Sequence, residues 1–185
     1  MLSVQIDRAQ YQRLKHALGE KKRLLGKEIA IAVNITAKAV KREISKTIRQ
    51  ELIVPKRAVD ETISVQSKAN REKFQAIVRT KKVSRIRLKE FRAYQTRKGV
   101  SYRISKTTGR KVAPGAFVVQ KYDGNVYRRV SGARGPLQAL HGPSPWGVLA
   151  AGERTKIVKQ IGEQELKKQI QRRIRFHVLK AEGRI

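Results

Sequence analysis

Phe117-Val118-Val119-Gln120-Lys121-Tyr122-Asp123-Gly124-Asn125-Val126-Tyr127-Arg128-Arg129-Val130 is the stretch that decides the fold class. Two β-rich runs, Phe117 to Lys121 and Val126 to Val130, flank Asp123-Gly124-Asn125, and aspartate and glycine supply the backbone angles that a tight turn requires. A β-hairpin is therefore expected here. Both ends of the chain read differently.

Upstream, Ile86 and Leu88 alternate with Arg85, Arg87 and Lys89, and Tyr102 and Ile104 alternate around Arg103, which predicts half-buried strands. Phe74, Ala76 and Val78 show a weaker alternation, and Thr107 to Arg110 reads as a turn. Further back, Val33, Ala37, Val40, Ile44 and Ile48 recur at steps of three or four between Ala30 and Leu52, which is one face of a helix. A shorter helix over Asp7 to Leu18, stopped by Gly19, precedes it, and the periodicity leaves open whether Gly26 interrupts the long one. Pro55 ends the long helix because its ring cannot continue the ladder, and Lys56 to Gln66 then reads as a short helix.

Downstream of the hairpin, residues 131–147 hold Gly132, Gly135, Pro136, Gly142, Pro143, Pro145 and Gly147, too much punctuation for a regular element. From about Ala150 the pattern is helical, with Ile157, Ile161, Leu166, Ile170 and Ile174 as its apolar stripe. The expected class is α+β: a long N-terminal helix, a central antiparallel β-sheet with a hairpin, a Gly/Pro-rich loop and a C-terminal helix. The regions run 1–53 helical, 54–130 short helix and basic sheet, 131–149 loop and 150–185 helix, within one structural domain.

The chain has 185 residues and 44 Lys+Arg against 14 Asp+Glu, a formal charge of +30. Self-repulsion of that size opposes compaction and points to a polyanion or an acidic partner where the protein works. Hydrophobic residues at 39% leave a thin core for the length, so long elements are expected to pack partly against other subunits. There is no cysteine, which excludes disulfides, thiolate zinc sites and cysteine nucleophiles. No apolar run approaches the roughly 20 residues of a membrane span, and Met1 to Gln10 lacks a signal-peptide core, so neither membrane nor export is expected.

Three Asp (Asp7, Asp60, Asp123) and three His (His16, His141, His177) offer little for acid–base or metal chemistry, and no phosphate-cradling loop or nucleophile elbow occurs. The expectation is a non-enzymatic protein with no cofactor and no metal. Cations concentrate in one segment instead: Arg79, Lys81, Lys82, Arg85, Arg87, Lys89, Arg92, Arg97, Lys98, Arg103, Lys106, Arg110 and Lys111 meet one acid, Glu90. On a strand, Arg85, Arg87 and Lys89 would form a row repeating about every 6.6–6.8 Å, suited to tracking phosphates. Phe91, Tyr94 and Tyr102 nearby are assigned to core packing rather than base stacking, and no base-reading motif is present, so nucleic-acid contact would be sequence-nonspecific.

Lys111-Val112-Ala113-Pro114-Gly115-Ala116-Phe117-Val118, then the hairpin, then Pro136-Leu137-Gln138-Ala139-Leu140-His141-Gly142-Pro143-Ser144 form an ordered set of motifs. In that order they resemble the minor tail protein Z family of long-tailed bacteriophages. The N-terminal layout is similar as well: a helix rich in alanine and isoleucine, Val54-Pro55-Lys56-Arg57 opening a short helix, and basic strands. Gln138 and Ala139 depart from the basic and β-branched residues expected around the Pro-x-x-x-Leu turn.

The resemblance implies a structural virion protein, assembled in the host cytoplasm, that completes the tail at its head-proximal end. It implies a homo-oligomeric ring, naturally a hexamer, beside the tail terminator and the head–tail connector and around the path of the double-stranded DNA genome. Pro136, Leu137, Leu140, His141, Gly142, Pro143, Ser144 and Trp146 are the docking candidates, Trp146 because aromatic anchors concentrate at interface hot spots. Charge and size alone also fit a cellular nucleic-acid-binding protein of ribosomal or nucleoid type.

Overall fold

The computed structural model describes residues 2–18, 22–81, 85–131, 135–182 and 184. The elements are β1 (Leu2–Gln5), α1 (Arg8–Leu18), α2 (Lys22–Glu51), α3 (Lys56–Asp60), β2 (Ile63–Ser67), β3 (Gln75–Thr80), β4 (Tyr94–Thr96), β5 (Gly99–Tyr102), β6 (Lys111–Pro114), β7 (Ala116–Val119), β8 (Asn125–Arg129), β9 (Leu137–Ala139), α4 (Pro145–Ala150) and α5 (Arg154–Ala181). The class is α+β, as read from the sequence. The described strands form three antiparallel sheets of three strands rather than one central sheet, in the orders β1-β3-β2, β4-β5-β6 and β7-β8-β9. Strands of three to six residues separated by turns are too short to build one wide sheet.

The chain divides into two compact units. The first comprises residues 1–44, 63–80 and 153–185. Its core is the stripe of α2, where Leu25, Ile29, Val33, Ala37, Val40 and Ile44 are all buried, together with Ala76 and Val78 of β3 and Val158, Leu166 and Ile170 of α5. Gly26 lies inside α2: a Cβ there would come within 2.9 Å of the Arg71 carbonyl oxygen, so glycine admits a close backbone approach at some cost in helix propensity. Gly19, the expected stop of α1, lies outside the described residues.

Of the apolar stripe expected on α5, Leu166 and Ile170 are buried as read, while at Ile157 and Ile161 the inward position is corrected by one residue. Val158, Gly162, Leu166, Gln169 and Ile170 face inward, and Ile157 is 52% exposed. The buried face was hidden in the sequence because part of it is not apolar. A Cβ on Gly162 would come within 2.9 Å of the Val40 side chain, and Arg173 donates a 2.6 Å bond to the buried carboxylate of Glu28. His177 Nε2 lies 3.5 Å from the same carboxylate.

The second unit comprises residues 45–62 and 81–152, with Ile48, Leu52, Val59, Phe91, Val100, Val126 and Leu149 in its core. The helix expected over 56–66 is corrected: α3 stops at Asp60, and Ile63 opens β2. The Thr62 hydroxyl and backbone N–H both bond the Val59 carbonyl, closing the helical turn. The β-branched residues that follow gain a ladder, Ile63 opposite Thr80 and Val65 opposite Val78. Pro55 caps the start of α3, as a residue with a fixed φ and no N–H can.

The hairpin is present as read. Val118 pairs Val126 and Val119 pairs Asn125 across β7 and β8. Gln120–Tyr122 form one 3-10 turn between them, and Asp123 (φ 57°) and Gly124 (φ 65°) take left-handed backbone angles. The Gly/Pro-rich stretch does hold regular structure, contrary to expectation: β9 pairs β8, and Pro145, at the first turn of α4, starts a helix rather than preventing one.

Candidate nucleic-acid and partner interface

Every sequence-derived site residue except Arg79, which is exposed on β3 of the first unit, belongs to the second unit. Lys82 lies outside the described residues. From Lys81 to Gly152 the sequence carries sixteen lysines and arginines against Glu90 and Asp123 alone.

The basic segment and the docking loop are brought together by backbone pairing. Gly142 N donates to the Ile86 carbonyl (2.8 Å), Leu88 N to the Leu140 carbonyl (3.0 Å), and Leu140 N to the Val126 carbonyl (2.8 Å). Residues 140–142 therefore run between β8 and the extended stretch around Arg87, which bridges His141. Ile86 and Leu88 are buried while Arg85 and Arg87 are exposed, as the alternation predicts. Gly142 is required by packing, because a Cβ would sit 2.2 Å from the ring of the fully buried Phe91.

The row of three cations is corrected at its end. Leu88–Glu90 form a 3-10 turn rather than a strand, with Phe91 N bonding the Leu88 carbonyl. That turn takes Lys89 out of the row, and its ammonium donates to the carboxylate and the carbonyl of Asp123. The hydrogen bond from Lys89, and then its charge, hold the Asp123 carboxyl below the ordinary carboxylate value.

With the folded value lowered, the pair's stabilisation is complete above the ordinary aspartate value of about 3.9 and is lost as pH falls through the depressed one. Lys89→Met is expected to return the Asp123 carboxyl toward that ordinary value in an NMR titration. An unchanged midpoint would show that Lys89 is not its partner.

Two further cations are internal ties. Arg103 donates to the carbonyls of Ser105 (3.2 Å), Lys106 (2.7 Å) and Thr108 (3.1 Å), holding the loop between β5 and β6. Arg110 donates to the Ser101 hydroxyl (3.0 Å) and the Arg92 carbonyl (2.7 Å) and lies over the Tyr94 ring at 4.4 Å. Tyr94 is thus an exposed platform for Arg110, not the core residue expected, whereas Phe91 is core.

Among the described residues, Lys81, Arg85, Arg87, Arg97, Lys98 and Lys111 remain exposed without a side-chain partner. Sequence reasoning missed exposed Lys121 and Arg128 of the same unit; Arg128 sits on β8, where the clean hairpin signal marked it as an outward position.

In the docking loop, Pro136 and Leu137 are exposed, and the Pro136 carbonyl accepts from Val130 N, setting the more exposed Val130 beside them. Leu140, Pro143, Ser144 and Trp146 are half-buried, and His141 Nδ1 lies 3.1 Å from the Ala139 carbonyl.

This arrangement offers ionic and apolar contact. No group of three His, Cys, Asp or Glu that would hold a metal occurs among the described residues, and none of their helices is long and apolar enough to cross a membrane.

Comparison with curated proteins and with solved structures gives no match. The family comparison does: the model of prophage minor tail protein Z matches residues 14–181, taking in both long helices, eight of the nine strands and the whole basic face. On that match the chain belongs to the prophage minor tail protein Z family and is a structural protein of the phage tail.

Proposed function

We propose that this protein completes the tail at its head-proximal end, as a ring that joins the tail terminator to the head–tail connector around the DNA path. The ring is a hexamer matching the tail's symmetry, assembled in the host cytoplasm, and it acts without catalysis. Its exposed cations face the genome end and hold it by ionic attraction, while the loop carrying Val130, Pro136, Leu137 and Trp146 docks a neighbouring ring. The observation that supports this reading is the second unit's set of exposed cations without partners, Arg85 and Arg87 foremost, beside sixteen basic residues and two acids in 81–152.

Antibody-labelled electron microscopy of purified particles tests the position. Label at the head–tail junction supports it; label elsewhere on the tail refutes the head-proximal assignment. The DNA role is tested separately with Arg85→Glu/Arg87→Glu. Each phosphate contact contributes close to one unit to the salt dependence of duplex binding, so the pair should flatten that slope by about two and weaken genome retention. Unchanged binding and retention would assign the cations to acidic protein instead.

A further inference from the structure

β1 is an edge strand: it pairs β3 on one side, and among the described residues no strand lies on its other side. Beside it runs a groove of about 550 Å³ in the first unit, walled by β1 and by Val158, Gly162 and Leu166 of α5, with Val40 also lining it. Successive residues of β1, from both of its faces, line this groove, so it follows the strand's free edge. An edge strand beside a helix, with a groove between that has an apolar floor and a polar rim, is the geometry that accepts an added strand: main-chain bonds give affinity, and alternate side chains enter the groove.

The second unit carries a matching donor. β6 is likewise an edge, pairing β5 alone among the described residues, and like β1 it has four residues. Its Val112 is 47% exposed, an apolar side chain about half of which the described residues leave uncovered. Other edges fit less well: β2 ends in exposed Gln66 and Ser67, and Gln95 of β4 is occupied with Val118 N.

Charge points the same way. Copies of a chain at +30 repel, but the groove rim is formally neutral, with Asp7 and Glu163 against Lys159 and Lys167. Lys111, whose side chain has no hydrogen-bond or ion-pair partner among the described residues, opens β6.

We propose that copies of this chain associate head to tail by strand addition, β6 of one copy entering the groove of the next and pairing antiparallel with its β1. That register sets Lys111 beside Gln5 and toward Asp7, Val112 opposite Val4 and Ala113 opposite Ser3. Pro114, which has no N–H to donate, closes the ladder at the Leu2 end. Donor and acceptor are different surfaces, so the contact repeats and closes into a ring. The closure rests on the ring reading above; the pairwise contact does not.

The chain has no cysteine, so an introduced pair reports without background. Ser3→Cys/Ala113→Cys in the full-length protein is expected to give a ladder of disulfide-linked oligomers on oxidation, because opposed Cα atoms about 4.5–5.5 Å apart suit the bond. Each single variant should give no ladder. Val112→Lys, at an exposed position, should weaken self-association at least tenfold by light scattering with an unchanged circular dichroism spectrum.

A wild-type protein that stays monomeric at tens of micromolar overturns the proposal. So does an oligomer that neither cross-links through 3 and 113 nor responds to Val112→Lys. A ladder accompanied by label away from the head–tail junction would leave strand addition standing and refute only the position in the particle.

Discussion

Replacing the buried Gly99 by alanine is expected to destabilise the second unit strongly. Gly99 opens β5 at φ 129°, a backbone angle that side-chain-bearing residues rarely adopt, and a Cβ there would lie 2.1 Å from the Ala113 carbonyl oxygen. Strain of this kind is worth about 1–3 kcal/mol by itself. The clash adds to it, because the obstacle is backbone of the paired strand β6, and relieving it means opening the Gly99–Pro114 end of that ladder.

A loss of at least about 3 kcal/mol follows, and it should be visible in the denaturation midpoint. The single tryptophan, Trp146, lies half-buried in the second unit, so its fluorescence reports this transition directly. Gly109→Ala is the control, since nothing lies within 4 Å of a Cβ there, and it should stay within about 0.5 kcal/mol of wild type. Equal midpoints for the two variants would refute the assigned backbone at Gly99.

The second large effect belongs to the first unit. Glu28 is 7% exposed on α2, its carboxylate accepts from Arg173 at 2.6 Å, and His177 lies 3.5 Å away, so it is the acid to which the C-terminal turns of α5 are tied. Breaking a buried pair by deleting one partner costs about 3–5 kcal/mol, because the other charge is left unmatched. The Arg173 side chain keeps 25% of its exposure and recovers some hydration, which brings the expectation for Glu28→Ala to about 2–3 kcal/mol.

Glu28→Leu/Arg173→Leu should recover most of that loss, since the cost lies in the orphaned charge rather than in the missing attraction. Far-UV circular dichroism, dominated by the long helices, follows this unit. A Glu28→Ala variant as stable as wild type would sink the argument.

Where local pattern and tertiary environment agreed, the sequence was legible. The spacing of Val33, Ala37, Val40, Ile44 and Ile48 named the buried face of α2, and Asp123-Gly124 named the hairpin, because each signal needs only neighbours within one element or one turn. The errors fell where a distant partner outweighed local pattern. Ile63 carries helical spacing to Val59, yet it gains a strand partner in Thr80. Lys89 belongs by alternation to a row of cations, yet the 3-10 turn and Asp123 remove it. Arg103 and Arg110 look like surface charge until the carbonyls they hold are seen.

By itself, then, the amino-acid sequence determined the α+β class, both long helices, the hairpin, the basic character and the family, because composition, periodicity and turn chemistry are properties of the chain alone. Only the tertiary structure decided which cations are spent inside the protein and which face outward, that residues 140–142 pair with the basic segment, and that β1 and β6 stand at the edges of their sheets among the described residues. Those outcomes depend on backbone groups far apart in sequence finding or lacking a partner. A buried N–H, carbonyl or charge must be satisfied by whatever the fold sets beside it, and no local pattern records what that will be.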